Sequence, residues 1–207
     1  PTPVPRAQRA RFRDSLGVLR AEPRLAGYLA IVMAVAVSAD PVNTESPAIA
    51  HAFGYPPVWA GAVVGCFGVG AVLSAATTSG RAAQSDRQLA ASLLVFGSGI
   101  VLMAVSPWFP LALAFVLGAG FGYLTANATA TARLQLGVPA EEWGRIMALW
   151  SVAFLGTRPL ASIVDGAIAG WAGVRVAACV LALPVLVAAA LLARSHVTRT
   201  EPHTAHS

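Results

Sequence analysis

The residues best able to do chemistry in this chain are acidic and hydroxyl side chains placed within an apolar stretch. The segment SADPVNTESP, residues 38–47, contains Asp40, Asn43, Thr44 and Glu45. In a helix, Asn43 and Thr44 share a face with Asp40, because they follow it by three and four residues. A carboxylate at membrane depth costs about 2.5–3.5 kcal/mol on insertion scales and usually marks an ion or substrate path. We therefore predict that these four residues line such a path.

Two prolines in the same segment should loosen its backbone. Pro41 cannot donate a hydrogen bond to the carbonyl of Val37, and Pro47 cannot donate one to the carbonyl of Asn43. Backbone that is freed at membrane depth is tolerated only against protein or a water-filled cavity. The segment is therefore predicted to bend or open beside a cavity. The competing interpretation is a kink without function, with the carboxylates reaching the outer interface.

A second polar stripe lies in FLGTRPLASIVDG, further along the chain. Arg158, Ser162 and Asp165 recur at i, i+4 and i+7, which places them on one helical face over two turns. Pro159 frees a backbone carbonyl beside Arg158. Arg158 and Asp40 lie about 18 and 22 Å along their helices, so we predict that they form an ion pair or a water-bridged contact. If they do not meet, Asp165 is the alternative partner for Arg158.

A weaker polar stripe is formed by Gly120, Tyr123 and Asn127, at i, i+3 and i+7. Tyr123 and Asn127 are predicted to line the same cavity, and the alternative is that they hold helices together. The stripes predict no enzyme, because an intramembrane hydrolase needs a nucleophile and a base in one site. All four histidines fall at the ends of apolar runs or in the tail: His51, His196, His203 and His206. No metal-binding spacing occurs and no cofactor is expected.

Composition sets these stripes in a membrane. The chain of 207 residues is 57% hydrophobic and 11% charged, against roughly 25% charged residues in soluble domains. Six apolar runs are near the length of about 20 residues that crosses a bilayer. They are residues 25–48, 58–80, 89–106, 109–131, 146–169 and 174–193. The predicted fold class is an all-α integral membrane protein with a bundle of six transmembrane helices.

The connections between the six runs are short, so consecutive helices are predicted to pack as neighbours. Small residues let helices in lipid approach closely. Gly61 and Gly65 form a Gly-x-x-x-Gly pair in the second run, which also holds Gly68 and Gly70, and Gly118 and Gly122 form another pair in the fourth run. These glycines are predicted to lie at helix contacts, although glycine is also common in membrane helices without such a role.

The arginines predict the orientation. All 14 basic residues are Arg, and apart from Arg158 they lie outside the apolar runs or, like Arg175, at the edge of one. Twelve fall before the first run, in the second and fourth connections and in the tail, whereas Arg175 alone falls on the opposite side. Because Arg is enriched on the cytoplasmic side, both termini are predicted to be cytoplasmic. The arginines form no continuous basic face, so no nucleic-acid partner is expected.

The predicted organisation is therefore an Arg-rich, amphipathic cytoplasmic segment over residues 1–24, a bundle over 25–193 and a cytoplasmic tail over 194–207. One alternative concerns the first run. An Arg-rich start, an apolar stretch and Val37-Ser38-Ala39 are also compatible with a signal peptide and its cleavage site, which would leave five spans.

Two segments carry a resemblance to a known family. FRDSLGVLRAEPRL, followed directly by an apolar run, resembles the central loop and seventh span of the major facilitator superfamily, particularly its enterobactin-exporter-like branch. LQLGVPAEEWGRIMALWSVAFLGTRPL resembles the loop and eleventh span of that branch. The matching residues are Pro139, Glu141, Gly144, Arg145, Met147, Phe154, Gly156 and Pro159. The resemblance covers nearly the whole chain, and only the second six spans of a twelve-span transporter.

The resemblance implies a proton-driven exporter of drugs or siderophore-like compounds in the bacterial inner membrane. It implies alternating access, in which two six-span halves rock about a midplane site. Its partners would be a small-molecule substrate, protons, the lipid bilayer, and either an N-terminal six-span half or a second copy of the chain. The superfamily's loop motif is reduced here to Asp86-Arg87, and Trp143 stands where Arg often precedes the Gly-Arg pair, so a gating latch on that loop is not implied.

Two other functions remain open from the sequence. One is a passive channel lined by charged rings or constrictions. The other is a membrane interaction unit or an inert fragment without transport activity. Flux that persists without a proton gradient would favour the channel, whereas a monomer without a cavity partner would favour the interaction unit.

Overall fold

The computed structural model describes residues 22–78 and 85–197, with side-chain surroundings up to Arg194. Within these ranges the chain is helical and contains no strand. Six helical segments are long and apolar enough to cross a membrane. The structure therefore confirms an all-α, six-helix membrane bundle. Nearly all of the predicted N-terminal segment, residues 1–21, and most of the predicted tail lie outside the described residues.

The helices are the following, in chain order: α1 Pro23–Ser38, α2 Asp40–Thr44, α3 Ser46–Ala52, α4 Ala60–Thr78, α5 Asp86–Val105, α6 Phe109–Leu136, α7 Trp143–Ala172 and α8 Val174–Val197. The first span, Pro23–Thr44, is made of α1 and α2, and short 3₁₀ turns precede α4 and α7.

Local sequence explains several of the boundaries. Pro23 begins α1, where a missing N–H is harmless because the first turn leaves its N–H groups unpaired. Ser85 caps α5 and accepts a hydrogen bond from the backbone N–H of Gln88 at 3.4 Å. Gly173 ends α7 with a φ of 93°, a left-handed conformation that glycine adopts without a steric penalty. The chain therefore turns directly from α7 into α8.

The helix order in space differs from the order in the chain. α6 packs along both α4 and α5, α5 packs along α8, and α1 contacts α6, α7 and α8. The prediction that consecutive spans are neighbours is correct for α5 with α6 and for α7 with α8. It is wrong for α4 and α5, which make no extensive contact within the described residues. α4 lies against α6 instead.

Glycines explain why α4 reaches α6. A Cβ atom added to Gly70 of α4 would lie 1.9 Å from the carbonyl oxygen of Leu117, and one added to Gly120 of α6 would lie 2.0 Å from that of Phe67. Neither space could hold a methyl group, so the two backbones are in direct contact. The predicted role in helix packing is confirmed for Gly70, and for Gly122, whose Cβ would lie 2.6 Å from the carbonyl oxygen of Ser92.

The other glycines of the predicted motifs make no such contact. A Cβ added to Gly61, Gly65, Gly68 or Gly118 would have no atom within 4 Å outside its own local backbone. The prediction that these four lie at helix contacts is wrong within this chain. The Gly-x-x-x-Gly pair of α4 instead lies on an open face of the bundle.

α1 is an integral part of the bundle. Val32, Val35 and Ala36 are fully buried, and the helix contacts three others. Removing it as a signal peptide would empty the centre of the structure, so the packing favours six spans over five.

The charged residues separate the two ends of the bundle. Arg24, Arg87, Arg133, Arg145 and Arg194 belong to helix starts and ends on one side, which we call the basic end. At the opposite end, Arg175 donates to the carbonyl oxygens of Ser106 at 3.2 Å and Ala52 at 3.3 Å, and lies 4.4 Å from the centre of the Phe53 ring. It joins the ends of α3 and α5 to the start of α8.

Candidate functional site

The first span is broken where its prolines predict. α1 ends at Ser38, a five-residue helix follows, and the chain breaks again at Glu45 before α3. The predicted bend of this segment is confirmed as two breaks in the helix, and the cavity predicted beside it stays a prediction. In this segment several side chains donate a hydrogen bond to the backbone carbonyl four residues earlier. Ser and Thr side chains make such bonds where the backbone of a membrane helix is loosened. The bonds are Asn43 to Ala39 at 2.6 Å, Thr44 to Asp40 at 2.9 Å, and Ser46 to Val42.

Asp40 is held at this break by two hydroxyl groups. Its side chain is buried, and its Oδ1 accepts a hydrogen bond from the Ser162 hydroxyl of α7 at 3.0 Å. Its Oδ2 accepts one from the Thr44 hydroxyl at 3.1 Å. Two charge-assisted hydrogen bonds stabilise a carboxylate more than neutral ones would. The polar stripes of the first and fifth spans therefore meet, through Ser162.

The predicted ion pair between Asp40 and Arg158 is not formed. The Arg158 guanidinium lies 5.6 Å from the centre of the Phe154 ring, and that ring is stacked on Trp150 at 4.9 Å. Among the described residues, the structure contains one ion pair, at the basic end, and it does not involve Arg158. The reason is register: Asp40 is level with Ser162, and Arg158 lies four residues, about 6 Å, closer to the basic end.

Asp165 is the most deeply buried charged residue of the site. Its side chain is 0% exposed, and neither carboxyl oxygen has a hydrogen-bond partner. Its electrostatic neighbours are the carboxyl groups of Glu45 and Asp40, with the Thr44 hydroxyl beside it. The alternative prediction, that Asp165 pairs with Arg158, is therefore also wrong. Asp165 faces like charge.

We call Asp40, Glu45 and Asp165 the acidic cluster. The hydroxyls of Thr44 and Ser162 lie beside it, and these five residues together join the broken first span to α7, the fifth span. Of the predicted site residues, these five are brought together. Asn43 is exposed and bonds only to its own helix, and Arg158 lies outside the cluster.

Tyr123 and Asn127 lie in a different part of the bundle. The Tyr123 ring packs 5.1 Å from that of Phe67 and 5.6 Å from that of Phe96, centre to centre, joining α4, α5 and α6. Tyr123 also interacts electrostatically with the Arg158 guanidinium. The Oδ1 atom of Asn127 is buried without a hydrogen-bond partner. The aromatic contacts support the helix-packing interpretation for Tyr123, and the unpaired oxygen leaves Asn127 able to accept a hydrogen bond.

A polar stripe between α6 and α7 extends from Asn127 toward the basic end. Two contacts of Gln135 set the helix register: its side-chain amide donates to the Met147 sulfur at 3.5 Å, and its carbonyl accepts from the Trp143 indole at 3.0 Å. Because the helices are antiparallel, the next turns bring Thr131 of α6 level with Trp150 of α7. The Thr131 hydroxyl and the Trp150 indole N–H are also buried without partners.

Sequence reasoning missed a polar network at the basic end. The Tyr28 hydroxyl donates to Asp86 at 3.0 Å, and Arg133 forms an ion pair with the same carboxyl oxygen at 3.7 Å. The network ties α1 to the start of α5 and the end of α6, and a groove of about 410 Å³ opens beside Tyr28 and Arg133. The remnant Asp86-Arg87 was visible in the sequence, but its partners are 58 and 47 residues away, so no local pattern indicates them.

The cluster's geometry limits its chemistry. Within residues 22–78 and 85–197, no group of three or more His, Cys, Asp or Glu side chains is arranged to hold a metal ion. Cys66 and Cys179 are free thiols in different helices. The acidic cluster can accept protons or positive charge, and its hydroxyls can donate hydrogen bonds.

The fold and these residues define a multi-pass membrane protein with carboxyl groups buried between its helices. Comparisons of the chain with protein-family models, with curated proteins and with solved structures found no match. The function is therefore argued from the site.

Proposed function

We propose that this chain is one six-helix half of a secondary active transporter, a proton-coupled exporter of small molecules that works by alternating access. The observation that carries the proposal is the acidic cluster, in which a broken helix places Asp40 and Glu45 beside the fully buried Asp165. Broken helices and intramembrane carboxylates mark the ion and substrate sites of transporters. The resemblance to the major facilitator superfamily agrees with this function, and its enterobactin-exporter-like branch points to drug-like or siderophore-like substrates.

The uneven burial of the spans supports a second half. In the apolar window of each span, 56% of residues are buried in the first span and in α5, against 22% in α4 and 28% in α7. The open face of α4 carries Gly61, Gly65 and Gly68. Small residues favour close approach of another helix in lipid. We place the partner, either an N-terminal six-span half or a second copy of this chain, against α4 and α7.

The proposed location is the cell (inner) membrane of a bacterium, with the basic end and both termini in the cytoplasm. The distribution of arginines between the two ends supports this orientation.

A second candidate function rests on the same open glycines. If α4 binds a different membrane protein, the six spans act as an interaction unit without transport. A passive channel is less favoured, because the carboxyl group of Asp165 is sealed from solvent.

The test is transport by proteoliposomes that contain the chain alone, and the chain together with a six-span partner. A pH gradient is imposed, a pH-sensitive dye reports proton movement, and a panel of radiolabelled small molecules reports solute flux. We expect no coupled flux from the monomeric chain, because alternating access needs one bundle to move against another. We expect coupled flux with the partner.

Two results would count against the proposal. Proton-driven flux through the monomer would remove the need for a second half. Solute flux that is independent of the gradient in every preparation would identify a channel.

A further inference from the structure

Asp165 is a fully buried carboxyl group without a hydrogen-bond donor. It lies on α7, seven residues before the end of that helix at Ala172, or about 10 Å from it. Asp40 is nearly as buried, but both of its oxygens accept hydrogen bonds from hydroxyl groups. Both oxygens of Asp165 are unpaired, although its side chain is 0% exposed. The neighbouring Thr44 hydroxyl is already engaged with Asp40.

A charged carboxylate is unfavourable in these surroundings. An ion taken from water into a low-dielectric interior without a partner loses its solvation, and a buried group usually avoids this cost by becoming neutral. Two further carboxyl groups, of Glu45 and Asp40, act on Asp165 and add repulsion to any negative charge on it. Burial and like charge therefore favour the same form, the protonated acid.

Among the residues that the structure describes, no basic side chain offsets this effect. On α7 itself, Arg158 lies two turns away over the Phe154 ring. On α8, which packs against α7, Arg175 lies at the end of the bundle nearer to Asp165 but donates to the carbonyls of Ser106 and Ala52, and Arg194 lies at the basic end. On α1, the described ionisable residues Arg24 and Tyr28 belong to the basic end. The groups that face Asp165 are acidic or hydroxyl.

The size of the site selects the ligand. The described part of the chain offers no set of acidic side chains arranged for a metal ion, and full burial of Asp165 leaves no room for an organic cation. A proton needs no volume of its own. Glu45 is only partly buried, so water can reach this side of the site.

We infer that Asp165 is a proton-binding site of this protein, reached by water from the partly buried side at Glu45. In the loading step an O–H bond of a hydronium ion breaks, an O–H bond forms on Asp165, and a water molecule is left. The hydroxyls of Ser162 and Thr44 donate to Asp40, so both oxygens of Asp165 stay free to take the proton. The inference rests on the proposed function, because it assigns the coupling proton to one carboxyl group.

The experiment is infrared spectroscopy of the purified full chain in lipid bilayers, across a pH series in H₂O and D₂O. A protonated carboxylic acid has a C=O stretching band that the carboxylate lacks and that shifts in D₂O. We expect such a band at neutral pH in the wild type and in Glu141→Gln, a control at an exposed acid of the 3₁₀ turn before α7. The band should be lost in Asp165→Asn.

Further variants keep the inference testable if Asp165→Asn does not fold. Asp165→Glu retains an acid at the site, so the band should remain but move in frequency. Glu45→Gln should keep the band, because Asp165 still carries the proton, and should move it in frequency, because a carboxyl group that acts on Asp165 is replaced by an amide. Absence of the band in the wild type, or an unchanged band in both Asp165 variants, would overturn the assignment.

The spectrum does not depend on transport, so the two proposals fail separately. A band assigned to Asp165 without any coupled flux would leave the proton site in place and remove the transporter function. Coupled flux without that band would keep the transporter and place its proton elsewhere.

Discussion

At the scale of single residues, the hydroxyl of Ser162 makes the contact that was predicted for Arg158. The Asp40 carboxylate accepts from Ser162 at 3.0 Å, whereas the Arg158 guanidinium is over an aromatic ring one turn away. A hydrogen bond between helices satisfies the buried carboxylate without the cost of desolvating a second charge.

This contact predicts the result of a double-mutant cycle. Ser162→Ala should lower the free energy of unfolding by about 0.6–1.7 kcal/mol, the range for hydrogen bonds between membrane helices. In the Asp40→Asn background the loss should be smaller, because the charged acceptor is gone. Unfolding in mixed micelles with rising SDS measures both values.

Ser98→Ala is the matched control for that cycle, since its hydroxyl bonds only to carbonyls of its own helix. Asp40→Asn and Arg158→Gln should give additive losses. A coupling energy between Asp40 and Arg158 as large as that between Asp40 and Ser162 would contradict the observed contacts.

At the scale of helices, α4 and α6 are joined by backbone contact at glycines. Gly120→Ala would place a methyl group 2.0 Å from the Phe67 carbonyl oxygen, so the two helices must separate. Overpacking of this kind typically costs about 1–3 kcal/mol. We expect that loss for Gly120→Ala and for Gly70→Ala, measured as thermal unfolding in detergent.

Gly118 and Gly65 provide controls on the same two helices. A Cβ at either position meets no atom within 4 Å, so Gly118→Ala and Gly65→Ala should leave the unfolding of the isolated chain unchanged or slightly improved. Gly65→Ala should instead weaken association if α4 binds a partner. Equal destabilisation by all four substitutions would mean that helix propensity, and not packing, sets the effect.

At the scale of the whole molecule, the distribution of arginine predicts the topology. Reporters placed after Ser106 and after Gly173 should lie outside, and reporters placed after Asp86 and after Ser207 should lie inside. Alkaline phosphatase activity and fluorescence of a cytoplasmic reporter distinguish the sides. The Arg175 end would then face outward, with its cluster of Phe53, Tyr55, Trp59 and Phe109 at the interface, where aromatic residues are enriched.

A reversed pair of reporters would contradict the six-span map, and a reversal of all four would contradict the orientation alone. The helices themselves fit either case, because length and apolar composition do not distinguish the two faces of a membrane.

The amino-acid sequence by itself determined the six spans, the break in the first span and the membership of most of the acidic cluster. These follow from short-range physics: a run of about 20 apolar residues spans a bilayer, and Pro41 and Pro47 remove donors from a helix wherever it packs. Helical periodicity likewise placed Ser162 and Asp165 on one face.

Only the tertiary structure decided which of these residues meet. The register between the first span and α7 brings Asp40 level with Ser162 instead of Arg158, and close packing of α4 on α6 at Gly70 and Gly120 displaces α4 from α5. Helix registers and neighbours depend on side-chain shape across the whole bundle, and a difference of one turn, about 5.4 Å, exchanges one partner for another. For that reason the sequence could predict that the two polar stripes meet, while the fold alone decided that Asp165 is buried without a donor and within the electrostatic influence of two other acids.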